Sequence, residues 1–234
     1  MNAFITGTDT GVGKTFATAL LLRHLRARGD DCVGFKPICC GSRDDAEKLF
    51  AASGGEAAGL TLNEVNPVWL RTPAAPLTAA MIEGRMIDLA IVRETFALLG
   101  ARHRAGVLVE GIGGWLVPIT REYSVSDLAA ELALPVIVVV KNRLGALNHA
   151  ALTVRAIQQR GLRCAGLIFN DGLTVAQPGS SEAEIDETEA VEAIARTTNP
   201  AVCEDLLGVP ILASLSANQT AWTETFRALD RVSP

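Results

Sequence analysis

The stretch Gly7-Thr8-Asp9-Thr10-Gly11-Val12-Gly13-Lys14-Thr15 follows the short β-rich run Ala3-Phe4-Ile5-Thr6 and opens a helical pattern that continues to Arg28. Strand, glycine-rich turn and helix in that order make a phosphate site. The glycines let backbone N–H groups turn inward, and the helix N-terminus adds partial positive charge. Lys14 would reach the β- and γ-phosphates and Thr15 would hold Mg²⁺. The strict G-x-x-x-x-G-K-[ST] spacing is missed by one place, because Thr8 stands where a glycine is asked for. The alternative is a glycine-rich strand-to-helix turn with no ligand.

Further β-rich runs and helical patterns alternate along the chain. Cys32 to Phe35, Val107 to Val109, Val136 to Val140, Ala165 to Phe169 and Pro210 to Leu212 read as strands. Lys14 to Arg28, Asp88 to Arg104, Ser126 to Leu132 and His149 to Arg160 read as helices. Ala17, Leu20, Leu21 and Leu25 fall at helical spacing on the first of these, and Gly29 stops it. The run Val136 to Val140 is apolar without alternation, as in a strand covered on both faces. The expected fold is therefore α/β and doubly wound: a mainly parallel sheet with helices on both faces, of the P-loop NTPase type, in one domain over residues 1–234. Its ligands should sit beyond the carboxyl ends of the strands.

Two regions read as irregular: Thr61 to Pro76, rich in Asn and Pro, and Asp171 to Ser181, after which an acidic helix rises from Glu182. Ala221 to Pro234, with Phe226 and Leu229, reads as a closing helix.

The chain of 234 residues is 49% hydrophobic and 20% charged, with a formal net charge of -5. That balance supports a globular protein and argues against nucleic acid as a main partner, since phosphate backbones need a basic patch. The longest apolar run is too short to span a bilayer. The five cysteines are odd in number and lack metal-ligand spacing, which predicts reduced thiols in the cytoplasm.

Val107-Leu108-Val109 ends on Glu110, and an acid at such a strand end holds or orients Mg²⁺ in phosphate-transfer enzymes. Gly111, Gly113 and Gly114 follow, and glycines there give phosphate or substrate access to the backbone. Phe35-Lys36-Pro37 ends another strand, and Lys36 would share a crevice with Lys14 if the two strands are neighbours. Two ammonium groups beside a triphosphate suit the charge that migrates toward the bridging oxygen. Asp44 and Asp45 begin a short helix, and spacing alone does not separate a capping role from a metal role.

With these motifs in order, and with Gly113-Gly114-Trp115, Leu134-Pro135-Val136, Leu144-Gly145, Asn148-His149-Ala150 and Asn170-Asp171 after them, the chain resembles the dethiobiotin synthetases. The resemblance implies ATP-dependent ring closure of 7,8-diaminononanoate with CO₂, through a carbamate and a carbamic–phosphoric anhydride. It implies Thr15, Asp45 and Glu110 as the metal set, with Lys36 and Lys14 as catalytic lysines. It places Gly11, Val12, Gly13, Lys14, Thr15 and Phe16 around the phosphates, along with Glu110 to Gly113. Asn170 and Asp171 would meet the base, and Pro210, Ile211 and Leu212 would lie along it. Lys36, Cys40 and the segment Leu144, Gly145, Ala146, Leu147 and Asn148 would contact the substrate, the last from the partner subunit of a homodimer. Two positions depart from the family pattern. Gly11 stands where an acid near the substrate amines is familiar, and Cys40 where a serine is familiar. Competing readings are a related P-loop ligase acting on another diamine or carboxylate, and a partitioning-type ATPase switch. The switch would have a second lysine where this chain has Asp9.

Overall fold

In a computed structural model, residues 1–172, 182–217 and 219–222 are described. The expected closing helix beyond Trp222, with Phe226 and Leu229, and most of the segment 171–181 lie outside them. Six strands form one parallel sheet: β1 (Ala3–Gly7), β2 (Cys32–Phe35), β5 (Gly106–Glu110), β6 (Val136–Lys141), β7 (Cys164–Asn170) and β8 (Ile211–Leu215). Their order is β2-β5-β1-β6-β7-β8. Parallel strands cannot be joined by tight turns, so helices cross over between them and cover both faces. The fully buried runs of β1, β2 and β5 are the consequence.

Register fixes which residues emerge at the same end. Ile5 pairs with Glu110 and with Ile137, while Lys141 pairs with Asn170 and Asn170 with Leu215. Gly7, Glu110, Lys141, Asn170 and Leu215 therefore mark one carboxyl edge. The order of strands reverses beside β1, the place where open α/β sheets bind ligands.

Helix α1 (Lys14–Ala27) buries Ala17, Leu20, Leu21 and Leu25, and Gly29 at φ 90 ends it with its N–H on the carbonyl of Arg26. The helix α5 (Leu89–Arg102) is capped by Asp88, whose carboxylate accepts from the N–H of Ala90. Helix α6 (Val125–Leu132) begins at a reciprocal Ser124–Asp127 capping box. α7 (Ala146–Gln159) packs on β6, and α8 (Glu182–Leu207) packs on α7 and β8.

The region from Thr61 to Pro76 is more ordered than its composition suggests. Thr61 and Glu64 form a capping box for the one-turn helix α3 (Leu62–Val65). β4 (Val68–Leu70) then pairs in parallel with β3 (Ile38–Cys40) as a separate two-stranded sheet, and Pro76 opens α4 (Pro76–Glu83). Three-residue strands carry no readable alternation, so the sequence pattern hides them. α7 also starts one turn before the expected His149, because Gly145 at φ 88 allows the chain to turn into the helix. Among the described residues, no helix is long and apolar enough to cross a membrane.

Candidate active site

The turn between β1 and α1 closes tightly on itself. A Cβ at Gly7 would stand 2.6 Å from Val12 Cγ2, so the loop needs bare backbone there. Positive φ falls on Gly11 (72°) and Gly13 (95°). Thr8 is not among the positive-φ residues, so the one-place departure from the strict glycine spacing costs the loop nothing. Thr8 instead donates its N–H to Val139 on β6. Lys14 folds back over its own loop, with Nζ 3.1 Å from the carbonyl of Asp9. Burial lowers its pKa to about 8, helped by the charge of Lys36 and opposed by Glu110, Asp45 and Asp9.

Lys36 reaches this crevice by a route other than expected. β1 and β2 are not neighbours, since β5 lies between them. The lysine follows β2, crosses the end of β5, and places Nζ 2.5 Å from Glu110 Oε1, 3.2 Å from Asp45 Oδ2 and 3.3 Å from the Gly111 carbonyl. Thr15 Oγ1 donates to the same Glu110 oxygen at 2.7 Å. Burial works against charge on Lys36, yet Glu110 and Asp45 outweigh it and hold the ammonium form well above the usual lysine range. Asp45 is also partly desolvated, but Lys36 and Thr15 keep its carboxyl below the ordinary value. Asp44 is exposed and turned away, so α2 (Asp44–Ala52) presents only Asp45 to the cluster.

Thr15, Asp45 and Glu110 supply one hydroxyl and two carboxylates beside the phosphate loop. Hard oxygen donors in small number suit Mg²⁺, which keeps waters and phosphate oxygens for its remaining positions. Glu110 is fully buried, and its second oxygen, Oε2, has no hydrogen-bond partner. A buried carboxylate oxygen left bare is costly unless something positive meets it, so the donor set fits the ion.

The cluster opens into a cavity of about 670 Å³. Gly11, Gly13, Lys14, Thr15 and Phe16 line one side, and Ile112, Gly113 and Val117 another. Cys39, Cys40, Ser42, Lys48 and the Pro73–Pro76 turn form the far wall. Gly111 faces the interior instead, where a Cβ would meet Phe4 and Val125 at 3.1 Å. Cys40 does line the cavity, but burial and then Glu83 push its thiol up to about 11, which keeps it protonated at neutral pH and a poor nucleophile. Around Gly11 a Cβ would meet nothing within 4 Å, so the position of the missing acid is open space.

Asn170 stands at the end of β7 against the loop, its Nδ2 2.9 Å from the Val12 carbonyl and its Oδ1 buried without a partner. The carboxylate of Asp171 is taken up by Asn142 at 2.9 Å. Pro210, Ile211 and Leu212 are not at this edge. Ile211 pairs with Leu167 and begins β8, four residues before Leu215. At about 3.3 Å per residue that is about 13 Å from the carboxyl end. Leu212 is buried against Gly166, and Leu215 is the β8 residue that pairs with Asn170. Leu144 to Asn148 lie at the start of α7, outside the cavity of their own chain, with Leu144, Gly145 and Asn148 exposed. Ser42, Lys48, Val117 and the Pro73–Pro76 turn were not singled out in the sequence. Their only signal was proximity to the lysine and glutamate motifs across an unread two-stranded sheet.

Gly13 is the tightest point of the site. A Cβ there would lie 2.0 Å from Asn170 Nδ2 and would have to adopt φ 95. Gly13→Ala is expected to lower the melting temperature by about 2–8 °C from the left-handed strain alone. It should also weaken ATP binding at least tenfold in an equilibrium titration. Unchanged affinity would show that the loop does not receive phosphate in this conformation.

Comparisons with known proteins bear on the same loop and cavity. The family model described as AAA domain matches residues 2–224. The chain is 41% identical over 218 residues to the ATP-dependent dethiobiotin synthetase of Akkermansia muciniphila, covering 93% of each. It is 49% identical over 171 residues to that of Anaeromyxobacter dehalogenans, covering 71% of this chain and 75% of the relative. Among solved structures, the MinC:MinD cell division protein complex of Aquifex aeolicus aligns at a TM-score of 0.53 and 16% identity, over 93% of this chain and 82% of that one. At that identity the likeness shows the fold alone.

Proposed function

The chain belongs to the ATP-dependent dethiobiotin synthetase family, and on that premise we propose that its cavity closes the ureido ring of dethiobiotin from 7,8-diaminononanoate, CO₂ and Mg-ATP. The observation that carries this reading is the cluster of Lys36, Glu110, Asp45 and Thr15 set directly against the phosphate loop. An amine of the substrate adds to CO₂ and loses a proton, giving a carbamate. A carbamate oxygen attacks the γ-phosphorus and ADP departs, leaving a carbamic–phosphoric anhydride. The second amine attacks the carbamoyl carbon and loses a proton, the ring closes, and phosphate leaves.

The residues divide this work by position and charge. The backbone N–H groups from Gly11 to Phe16 and the ammonium of Lys14 receive the β- and γ-phosphates. Thr15, Asp45 and Glu110 would hold Mg²⁺, which offsets the charge of the phosphate oxygens when bound. Glu110 and Asp45 favour the ammonium form of Lys36 against its burial. The lysine is therefore a hydrogen-bond donor to carbamate and transferring phosphate, and takes no proton itself. Both amines sit on one molecule, so ring closure gains from proximity once the carbamoyl carbon is activated. Asn170 offers the amide that reads the base. The first turn of α7 would present N–H groups to the substrate's carboxylate in a partner subunit, so the reading takes the working unit as a homodimer.

Gly11 favours a second reading, a relative acting on a different diamine, since no acid occupies that open space. One experiment separates the two. A single turnover with ATP, bicarbonate and 7,8-diaminononanoate is expected to give dethiobiotin by mass detection. Absence of that product, with another diamine cyclised in its place, would move the assignment to the second reading and leave the ATP site intact.

A further inference from the structure

Lys36 is held at two points, and only one of them is in the reaction cavity. Its ammonium meets Glu110 and Asp45, while its backbone is fastened behind by Asn66. Asn66 is 1% exposed and lies in the turn between α3 and β4. Its Nδ2 donates to the carbonyl of Lys36 at 2.8 Å and to that of Val68 at 3.0 Å. Its Oδ1 accepts from Arg43 Nε at 3.0 Å, and its own carbonyl accepts from Arg43 Nη2 at 2.8 Å. Every polar group of the Asn66 side chain is thus used, and each partner lies on a different element. The Lys36 N–H also donates to Val65 at 2.8 Å, so the residue is tied to this turn through both its amide and its carbonyl.

Arg43 continues the connection to the substrate side of the cavity. It is the residue before α2, two positions from Asp45. Its guanidinium lies 5.1 Å from the centre of the Trp69 ring, and the Trp69 indole N–H donates to the Gly41 carbonyl at 2.8 Å. Gly41 lies between the cavity-lining residues Cys40 and Ser42. One guanidinium therefore joins the backbone of Lys36, the start of the Asp45 helix and the wall beside Cys40. A planar fork with donors on two edges can do this, whereas a lysine ammonium cannot.

We infer that Arg43 and Asn66 are positioning residues for Lys36, holding its ammonium on the transferring group while leaving nucleotide binding to the phosphate loop. This inference rests on the proposed reaction only for the choice of substrate. Neither residue touches the cavity's phosphate side, and small displacements of a charged group from a transferring phosphate lower rate steeply.

The deciding variant is Arg43→Ala, since Arg43 is partly exposed and its loss leaves the buried Asn66 with both donor bonds. ADP release is followed at saturating diamine and ATP, using the diamine that the wild-type protein accepts, and ATP affinity is measured separately by equilibrium titration. Expected is a fall in kcat of about tenfold or more with ATP affinity within about twofold. Arg43→Lys is expected to stay near the alanine value, because it keeps charge but loses the fork. Asn66→Ala should lower kcat further and also lower the melting temperature. A wild-type kcat in Arg43→Ala, full recovery in Arg43→Lys, or matching losses of kcat and ATP affinity would each overturn the inference. Failure of the wild-type protein to form dethiobiotin would instead overturn the functional reading, and the Arg43 comparison would still be read on the accepted diamine.

Discussion

Lys36→Ala is expected to lower kcat by about three orders of magnitude or more while ATP binds within about threefold of wild type. The separation follows from where the lysine sits. Lys14 and the N–H groups of the loop would receive the phosphates, so ground-state nucleotide binding should not depend on Lys36. Lys36 faces the side of the cavity where the carbamate would approach, and its value is in the charge that builds during transfer. A donor aimed at developing charge contributes roughly 10²–10³ in kcat in enzymes that use such groups, and here the donor is also fully charged.

The same substitution has a structural cost. Glu110 is fully buried, and its Oε1 is bonded to Lys36 at 2.5 Å and Thr15 at 2.7 Å. Without the ammonium, a buried carboxylate keeps only a hydroxyl. Breaking such a pair on one side costs on the order of 3–5 kcal/mol. The protein without Mg²⁺ should therefore melt lower by about 6–20 °C, and Mg-ATP should recover part of that loss, because the metal would face the bare Glu110 oxygens. Calorimetry with and without Mg-ATP, alongside steady-state rates, tests both halves. If ATP affinity falls in step with kcat, Lys36 is a nucleotide anchor and the assignment of its role is wrong.

The sequence disclosed the parts of this site that stand at strand ends. Lys36 and Glu110 each close an apolar run, and a parallel sheet brings the carboxyl ends of its strands to one edge, so their presence at that edge is readable from the sequence. The order of strands was not. Lys36 and Lys14 converge although β5 separates β1 from β2, because a lysine side chain is long enough to reach across one strand end. Asp45 could not be told from Asp44 by spacing, since either suits the first turn of a helix, and only the rotation of α2 decides it. Asn66 and Arg43 escaped notice for a similar reason. Apart from the Arg43 bonds to the Asn66 and Asn63 side chains, their partners are main-chain carbonyls, which leave no trace in residue identity, and the strands that bring them together are three residues long.

Pro210 to Leu212 show the opposite limit. The segment was recognised as a strand, but its height on the sheet is set by pairing with Leu167, which is a matter of register and not of composition. Leu144 to Asn148 read as the approach to a helix at His149, whereas α7 already begins at Ala146, and any use of the segment depends on a second chain. The departure at Thr8 turned out to be harmless for a backbone reason, as the loop asks for positive φ at Gly11 and Gly13 alone.

Lys14→Met is expected to abolish turnover and at the same time to stabilise the ligand-free protein. Lys14 is 7% exposed, and its ammonium is bonded to the backbone carbonyl of Asp9 in place of a carboxylate. Lys36 adds like charge nearby. Its pKa of about 8, against 10.5 for an ordinary lysine, means that the folded protein releases this proton before the unfolded chain does. Below pH 8 both states are protonated and the full penalty is felt; between about 8 and 10.5 the unfolded chain binds more protons, so stability rises with pH. At pH 7 the penalty is on the order of a few kcal/mol, and a methionine of similar length removes it. The variant should accordingly melt a few degrees higher than wild type at pH 7, with the difference shrinking as pH rises toward 10. Phosphate changes the balance. A triphosphate in the loop supplies the missing counter-charge, so wild type should gain several degrees on adding Mg-ATP while Lys14→Met gains little. An apo melting point well below wild type would show that Lys14 is held there by the fold and not by the nucleotide. Residual turnover above about 1% of wild type would remove Lys14 from the phosphate-binding set.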